Sequence, residues 1–395
     1  MPVVTNRRLK YAARLCVDTM AMLTTKVTPF SDRVLIVRID AIGDFVLWLD
    51  AAQAIVKHYK AHGKRVILVA NDVWATWARE LAIFETVIAL DRRKFETDLR
   101  YRFQLGRAIR KLKCSIAIQP SYSRTREWLL GDAVVRVSGA SERIGSSGDT
   151  SRIQLWQKRV SDRWYTRLIP SSPEPCMELV RNAEFVRALG QIEFLAKVPN
   201  LYEISPLRKD ESFIAAMPAD LKYYVLFPGA SWDGRQWPVA SFVATANRLY
   251  SKIGWPGVIC GGPTDANLAK DICRQSDAPL LNWVGRTDLS QLAAILATAQ
   301  LLLTNETSAT HIAATLGVPT VCILGGGHFG RFMPYQVEQA DNRPLPRAVT
   351  HPMPCFGCDW NCIYPCTSGS PVPCIDQITT SMVWDAIAGV LGLSV

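Results

Sequence analysis

The sequence has no long hydrophobic run. None of its 395 residues lies in a stretch approaching the roughly 20 apolar residues that cross a bilayer. No helix long and apolar enough to span a membrane is therefore expected. The N-terminal segment NRRLKYAARLCVDTMAML starts basic, but Arg14 and Asp18 interrupt what would be the apolar core of a cleaved signal peptide, so none is expected. Short tandem repeats are absent. So is a G-x-G-x-x-G fingerprint in the first strand-turn-helix, the usual mark of a dinucleotide site. Charge is sparse as well. Charged residues make up 20% of the chain and hydrophobic ones 49%, an ordered globular composition and not a disordered one. A chain of this length can bury a large core, and two domains are expected.

The charge that is present is unevenly spread. The formal net charge is +10, and residues 1–150 hold 25 Lys/Arg against 15 Asp/Glu, so the whole excess lies there. A basic first part points to an anionic partner, whether phosphate, nucleic acid or a membrane surface, or simply to a solvated basic face. On a helix, Leu9, Ala12, Ala13, Cys16, Met20 and Leu23 share one face, with Arg7, Arg8, Lys10 and Arg14 around it. That pattern suits a helix lying on an anionic membrane and equally a helix docked on the protein itself. Six of the eleven cysteines sit singly in apolar contexts, as small hydrophobes. The other five crowd into residues 355–374. With no signal peptide a reducing, cytoplasmic compartment is expected, which favours a metal site over disulfides.

Strand and helix patterns alternate along the chain. DRVLIVRI (32–39), RVILVA (65–70), VIAL (87–90) and SIAIQP (115–120) are short apolar runs separated by helical or polar stretches, the order of a parallel sheet with helices on both faces. Residues 145–175 show no clear period, and MELVRNAEFVRALG (177–190) is an amphipathic helix. PNLYEISPLRKDESFIAAMPADLK (199–222) reads as a linker. At YYVLFPGAS (223–231) the alternation restarts. Strands follow in GVICGGPTD, LLLTN and TVCILGGG, interleaved with helices in SFVATANRLYSKIG, NLAKDICRQSD, LSQLAAILATAQ and SATHIAATLG. The fold class expected is α/β with two successive doubly wound units. Each opens on a strand that ends in a glycine-bearing turn, where open parallel sheets bind ligands.

Two stretches carry candidate chemistry. In FPGASWDGRQWP (227–238) a strand ends in Pro-Gly-Ala-Ser. Backbone N–H groups and Ser231 could hold phosphate oxygens with Arg235 as charged clamp, unless this is an ordinary strand-to-helix loop. In NETSATHIAATLGVPTVCILGGG (305–327), polar Glu306, Thr307 and Ser308 lie between a strand and the positive N-terminus of a small-residue helix, a geometry that suits a diphosphate. Thr307 and Ser308 read alternatively as plain N-capping residues. His311 reads alternatively as a satisfied polar group on a packed helix. The cysteines Cys355, Cys358, Cys362, Cys366 and Cys374 open with C-x-x-C. Four thiolates suit tetrahedral zinc or iron, Cys366 being the spare; the other reading is reduced thiols in a packed loop.

Taken together, these pieces resemble the lipopolysaccharide heptosyltransferases, glycosyltransferase family 9. VLIVRIDAIGD matches the family's opening strand and Gly-Asp turn, and AIQPSYSR with the later RIG a weaker middle motif. PGASWDGRQWP and VGRTDLSQLAAILATAQLLLTNETSATHIAATLGVPTVCILG match its two strong C-terminal motifs. The resemblance runs from Arg33 to about Asp385, and GGGHFGRFMPY with the cysteine cluster looks like a subgroup. The chain has Glu306 where the family usually has Asp, and Gly325-Gly326-Gly327-His328 where it often has Gly-Pro-Thr, so the donor sugar stays open.

The resemblance implies a GT-B fold of two Rossmann-like domains: an N-terminal segment 1–30, an acceptor domain 31–205, and a donor domain 206–375 that includes the cysteines. A C-terminal helix within 376–395 would pack back towards the first domain. It implies Asp44 as catalytic base, with Asp40 as rival, since an inverting transfer needs a base within reach of the acceptor hydroxyl; Asp44 could instead merely cap its helix. Asp40, Gly43 and Arg124 would line the acceptor side. Ser231, Arg235, Asp265, Glu306, Thr307, Ser308, His311 and Gly326 would line the donor side. The chemistry would need no metal, and Cys355, Cys358, Cys362 and Cys374 would hold a structural zinc or iron. The partners implied are a nucleotide-diphosphate sugar such as ADP-heptose, an anionic glycolipid or glycan acceptor, and the cytoplasmic face of the inner membrane, with no nucleic acid. A protein acceptor such as an adhesin, or a nucleotide-sugar-binding protein without turnover, are the alternatives.

Overall fold

The computed structural model describes residues 2–25, 31–124, 130–151, 153–172, 174–207, 213 and 221–393. The chain divides into two compact units. One comprises Met1–Glu174 with Arg181–Leu195, the other Pro175–Val180 with Ala196–Val395.

In the first unit, β1 (Arg33–Arg38), β2 (Arg65–Asn71), β3 (Thr86–Leu90), β4 (Ile116–Gln119), β5 (Glu142–Ser146) and β6 (Arg167–Ile169) form one sheet in the order β3-β2-β1-β4-β5-β6. Every pairing is parallel; Leu35 stands opposite Ile67 on one side and Ala117 on the other. Both faces of such a sheet are covered, so its central strands are continuous apolar runs, and Val34, Leu35, Ile36 and Val37 are wholly buried. The second unit repeats the plan. Strands β7 (Tyr224–Phe227), β8 (Gly257–Ile259), β9 (Leu280–Asn282), β10 (Leu301–Asn305), β11 (Thr320–Ile323) and β12 (Arg347–Val349) lie parallel in the order β12-β11-β10-β7-β8-β9. In each sheet the chain starts at the centre and then winds outwards on both sides. The topological switch points fall between β1 and β4 and between β7 and β10, and crevices at such points are where these sheets take ligands.

Several expectations are corrected. Residues 145–175, without visible period, hold the helix Leu155–Asp162 and strand β6. Of the linker expected over 199–222, Leu201–Ile204 is a short helix, and residues 208–212 and 214–220 lie outside the described residues. By compactness the second unit takes up the chain from Ala196 onwards. The C-terminal helix, Thr380–Leu391, packs within the second unit. Its Val383, Trp384 and Ile387 join the apolar core of the second, against β11 and β12.

The N-terminal helix, Pro2–Leu23, is no separate segment; it packs on the helices Leu99–Lys111 and Leu130–Ser138. It does so with its charged side. Arg14, Asp18 and Ala21 are buried, and the Asp18 carboxylate receives both Nε and Nη2 of Arg102 at 2.7 Å, each side chain 2% exposed. Arg14 reaches Glu96 at 3.7 Å, and the Arg102 guanidinium lies 4.4 Å from the Phe95 ring. The face that would bury apolar side chains in an ordinary amphipathic helix points outwards instead: Leu9 is 66% exposed, Met20 54% and Leu23 77%.

A buried ion pair is costly to break from one side, because the remaining charge keeps its desolvation without its partner. Asp18→Asn should therefore destabilise the first unit by about 3–5 kcal/mol, whereas Asp18→Leu with Arg102→Met should recover most of that. Equilibrium urea unfolding measures it. A single-variant loss under about 1 kcal/mol, the size of an exposed pair, would show that the helix is not held by this contact.

Candidate active site

The second unit assembles its polar residues at the switch point of its sheet. Asn305 ends β10 and is fully buried; its Nδ2 donates to the Pro228 carbonyl at 2.6 Å and its Oδ1 accepts from the Trp237 amide at 3.1 Å. The Trp237 indole donates to the Ile378 carbonyl at 2.8 Å. The loop between β7 and the helix Val239–Ile253 is thus pinned, and it presents Ser231 and Arg235. Nη1 of Arg235 donates to Ser231 Oγ at 3.0 Å, and Nη2 to both the carbonyl and Oε2 of Glu306 at 2.7 Å. Its guanidinium carbon lies 4.8 Å from the centre of the Trp360 ring.

Glu306 is buried, not offered on an open polar loop. Burial raises its carboxyl above the ordinary range, and the Arg235 charge offsets part of that rise. Thr307 is the N-cap of the helix Ser308–Leu316, but its side chain makes no capping bond; its Oγ1 lies 3.3 Å from Thr304 Oγ1. Thr307 and Ser308 are half-buried at that positive helix end, beside Glu306. Ala309, Ala313 and Ala314 are buried, as a close helix–sheet approach requires. Asp265 stands after β8. Its carboxylate accepts the Gly262 amide at 2.8 Å and lies where a Cβ on Gly229 or Gly261 would collide with it, and burial raises its carboxyl.

Two residues expected on the donor side are enclosed by protein. His311 is buried, and its Nδ1 lies 2.8 Å from the Tyr335 hydroxyl. Burial, then the Arg235 charge, push the imidazole down to about 3, so it is neutral and used in packing. Gly326 is buried as well. Its amide donates to Cys374 Sγ at 3.4 Å, its carbonyl accepts the Gly357 amide at 2.7 Å, and a Cβ there would run into the Phe356 ring. Gly325 and Gly327 are kept bare in the same way by Trp360. The three glycines admit the rings of the cysteine loop.

No two cysteines are joined. Cys374 is buried; Cys355, Cys358 and Cys362 are half-buried and Cys366 is exposed. Desolvation raises the Cys374 thiol, its bond from Gly326 works against that, and Cys355, Cys358 and Cys362 lie close enough to raise it further. Among the described residues, however, no three of Cys, His, Asp and Glu converge as metal ligands would. The thiols are gathered, and the expected tetrahedral geometry is absent from this arrangement.

In the first unit, the turn after β1 holds both acidic candidates. Asp40 is committed: its Oδ2 takes Arg38 Nε at 2.9 Å and Ser121 Oγ at 2.7 Å, and its carbonyl takes Asn71 and the Trp74 indole at 3.0 Å each. Gly43 and Asp44 lie in the first turn of the helix Ile42–Ala61, half-buried, and Arg38 Nη2 donates to the Asp44 carbonyl at 3.4 Å. Ala41 is the N-cap of that helix and makes no side-chain capping bond, and Asp44 is the acidic residue of its first turn. Arg124, expected on the acceptor side, is buried, and its Nη1 and Nη2 are engaged by Asp132, Asp162, Ser161 and the Ser147 carbonyl, while its Nε makes no hydrogen bond among the described residues. Ser121, Asn305 and Trp360 were not expected; their partners lie tens of residues away, beyond the reach of local spacing.

Residues 133–355 match glycosyltransferase family 9 (heptosyltransferase). A curated relative, lipopolysaccharide heptosyltransferase 3 of Escherichia coli, is 22% identical over 226 residues, which span 56% of this chain and 63% of the relative. The fold is similar to that of a family 9 glycosyltransferase from Veillonella parvula, at TM-score 0.64 and 14% identity over 91% of this chain and 97% of that one. It is also similar to the dodecameric iron-containing heptosyltransferase TibC in complex with ADP-D-beta-D-heptose, at TM-score 0.51 and 11% identity over 93% and 77%. With two parallel six-stranded sheets, the fold is of the GT-B class, and the chain belongs to glycosyltransferase family 9, the heptosyltransferase family.

Proposed function

We propose that this chain is an inverting glycosyltransferase that moves heptose from ADP-heptose to a lipopolysaccharide or other surface-glycan acceptor. The observation that carries the reading is the cradle at the β7–β10 switch point, where Arg235, Ser231 and the start of the helix Ser308–Leu316 meet. Family membership supports the reaction class, and the ADP-heptose bound by TibC supports the donor.

In this reading the Asp44 carboxylate takes the proton of the acceptor hydroxyl. The acceptor oxygen then bonds to the anomeric carbon on the face opposite the diphosphate, and the bond from that carbon to the leaving oxygen breaks. Asp44 suits the role better than Asp40, whose carboxylate is already held by a guanidinium and a hydroxyl. Arg235 and the positive helix end meet the charge that grows on the leaving diphosphate, so the chemistry asks for no divalent cation.

The outward apolar stripe of Pro2–Leu23 supports docking on an anionic cytoplasmic membrane face, where a lipid-borne acceptor would be met. Such a helix lies in the interface with its apolar face down. Pairing two stripes from two copies would instead bring together two units that each carry the positive excess.

We further propose one structural zinc or iron held by Cys355, Cys358, Cys362 and Cys374. Four neighbouring thiols are the donor chemistry such ions take, although their present arrangement does not converge. No reaction step runs through it.

Three outcomes test these readings. Asp44→Asn should lower kcat by roughly 10²–10⁴-fold and leave ADP binding nearly intact, in an assay that follows heptose transfer by mass spectrometry. Near-full turnover in that variant with a dead Asp40→Asn would reverse the assignment. The protein should sediment with phosphatidylglycerol vesicles and not with phosphatidylcholine ones, and serine at Leu9, Met20 and Leu23 should weaken that at least about tenfold; equal sedimentation of variant and wild type rules the stripe out. Elemental analysis of protein purified without chelator should find about one zinc or iron per chain, and metal well below one equivalent sinks that proposal.

A further inference from the structure

The cysteine loop contributes more than cysteines to the second unit. Trp360 packs along Gly325 and Gly327, where any Cβ would strike its indole. The Arg235 guanidinium sits 4.8 Å from the ring centre, and Trp232 meets the ring edge-on at 6.1 Å. The indole donates to His328 Nδ1 at 3.2 Å. An indole N–H can only donate, so Nδ1 is the acceptor and the ring proton sits on Nε2, which donates to Asp359 Oδ1 at 2.9 Å. The Asp359 amide donates to the Gly327 carbonyl at 2.9 Å.

Asp359 and Trp360 both hold left-handed backbone angles, φ 48° and 61°. Residues with side chains avoid that region and stay in it only where surrounding contacts over-determine them, commonly at binding sites. Here those contacts are the glycine turn, His328 and Arg235. Edge contacts from Ser231 and Glu306 and a face contact from Trp360 leave the guanidinium one orientation.

We propose that Trp360 is a positioning residue of the donor site, holding Arg235 in place for a nucleoside diphosphate, so that donor binding and the packing of the cysteine loop on the glycine turn form one coupled equilibrium. The inference rests on the reading of Arg235 as the diphosphate clamp. Coupling of this kind is reciprocal: a disturbed loop weakens the donor, and bound donor steadies the loop.

Calorimetric titration with ADP tests it. Trp360→Leu should weaken ADP by about tenfold, the scale of one desolvated cation–π contact, and raise the donor KM while the acceptor KM stays put. Trp360→Phe keeps an aromatic face and should stay within about threefold of wild type. A Trp360→Leu protein with unchanged melting temperature and wild-type ADP affinity overturns the proposal, as does a Phe variant no better than Leu. Should the Leu variant fail to fold, the wild type decides: ADP should slow amide hydrogen exchange over residues 355–362 of the cysteine loop and leave that of the helix Pro2–Leu23 unaffected. Rates indifferent to ADP overturn it. A wild type that binds neither ADP nor any other nucleoside diphosphate removes the clamp reading itself, and this inference with it.

Discussion

One carboxamide fixes the geometry of the second unit's site. The β7–β10 ladder pairs Thr304 with Phe227 and then meets Pro228, which has no N–H to continue it. The Asn305 side chain takes over at that point, bonding the Pro228 carbonyl on one side and the Trp237 amide on the other. Both ends of the loop that carries Ser231 and Arg235 therefore hang from one buried group. Removing it would leave a buried carbonyl and a buried amide unsatisfied together, each costing about 1–3 kcal/mol. Asn305 is the last residue of a fully buried strand, so the site inherits the rigidity of the sheet.

The first unit solves the same problem with charge. Its switch point lies between β1 and β4, and Ser121, after β4, donates to the carboxylate of Asp40, after β1. Arg38 completes the pair, and Arg38 is itself bonded to Asn182, which reaches the Leu47 carbonyl. Asp40 thereby holds two strands, their turn and two helices in register. That carboxylate is already occupied by a guanidinium and a hydroxyl. Asp44 follows one helical turn further on, and Arg38, the same guanidinium that holds Asp40, donates to its carbonyl at 3.4 Å.

Glu306 extends this logic to the switch point of the second unit. Its carbonyl and its carboxylate grip the same Arg235 nitrogen, so the longer side chain closes a chelate from one residue. Taking both charges out of water is expensive, and a close, well-aligned pair is what offsets it. The result is a guanidinium held in one orientation, with its side chain 15% exposed. An Arg235 left to swing would spend rotamer freedom on every binding event.

The strands and both switch-point loops were legible because fully buried parallel strands leave unbroken apolar runs, and the turns after them are marked by Gly, Pro and polar residues. Legibility ended wherever a long-range partner decided the outcome. Arg124 reads as a basic residue on a site loop until Asp132 and Asp162 claim it. The glycine run after β11 reads as a phosphate turn until Phe356 and Trp360, thirty residues on, fill it. The N-terminal helix shows the limit most sharply. Its spacing defines an apolar arc and a charged arc, but a period says nothing about which arc meets the protein. Arg102 and Glu96, some 80 residues downstream, supply opposite charges to Asp18 and Arg14, and they turn the charged arc inwards. The apolar arc faces out because electrostatic complementarity, not hydrophobicity, oriented the helix.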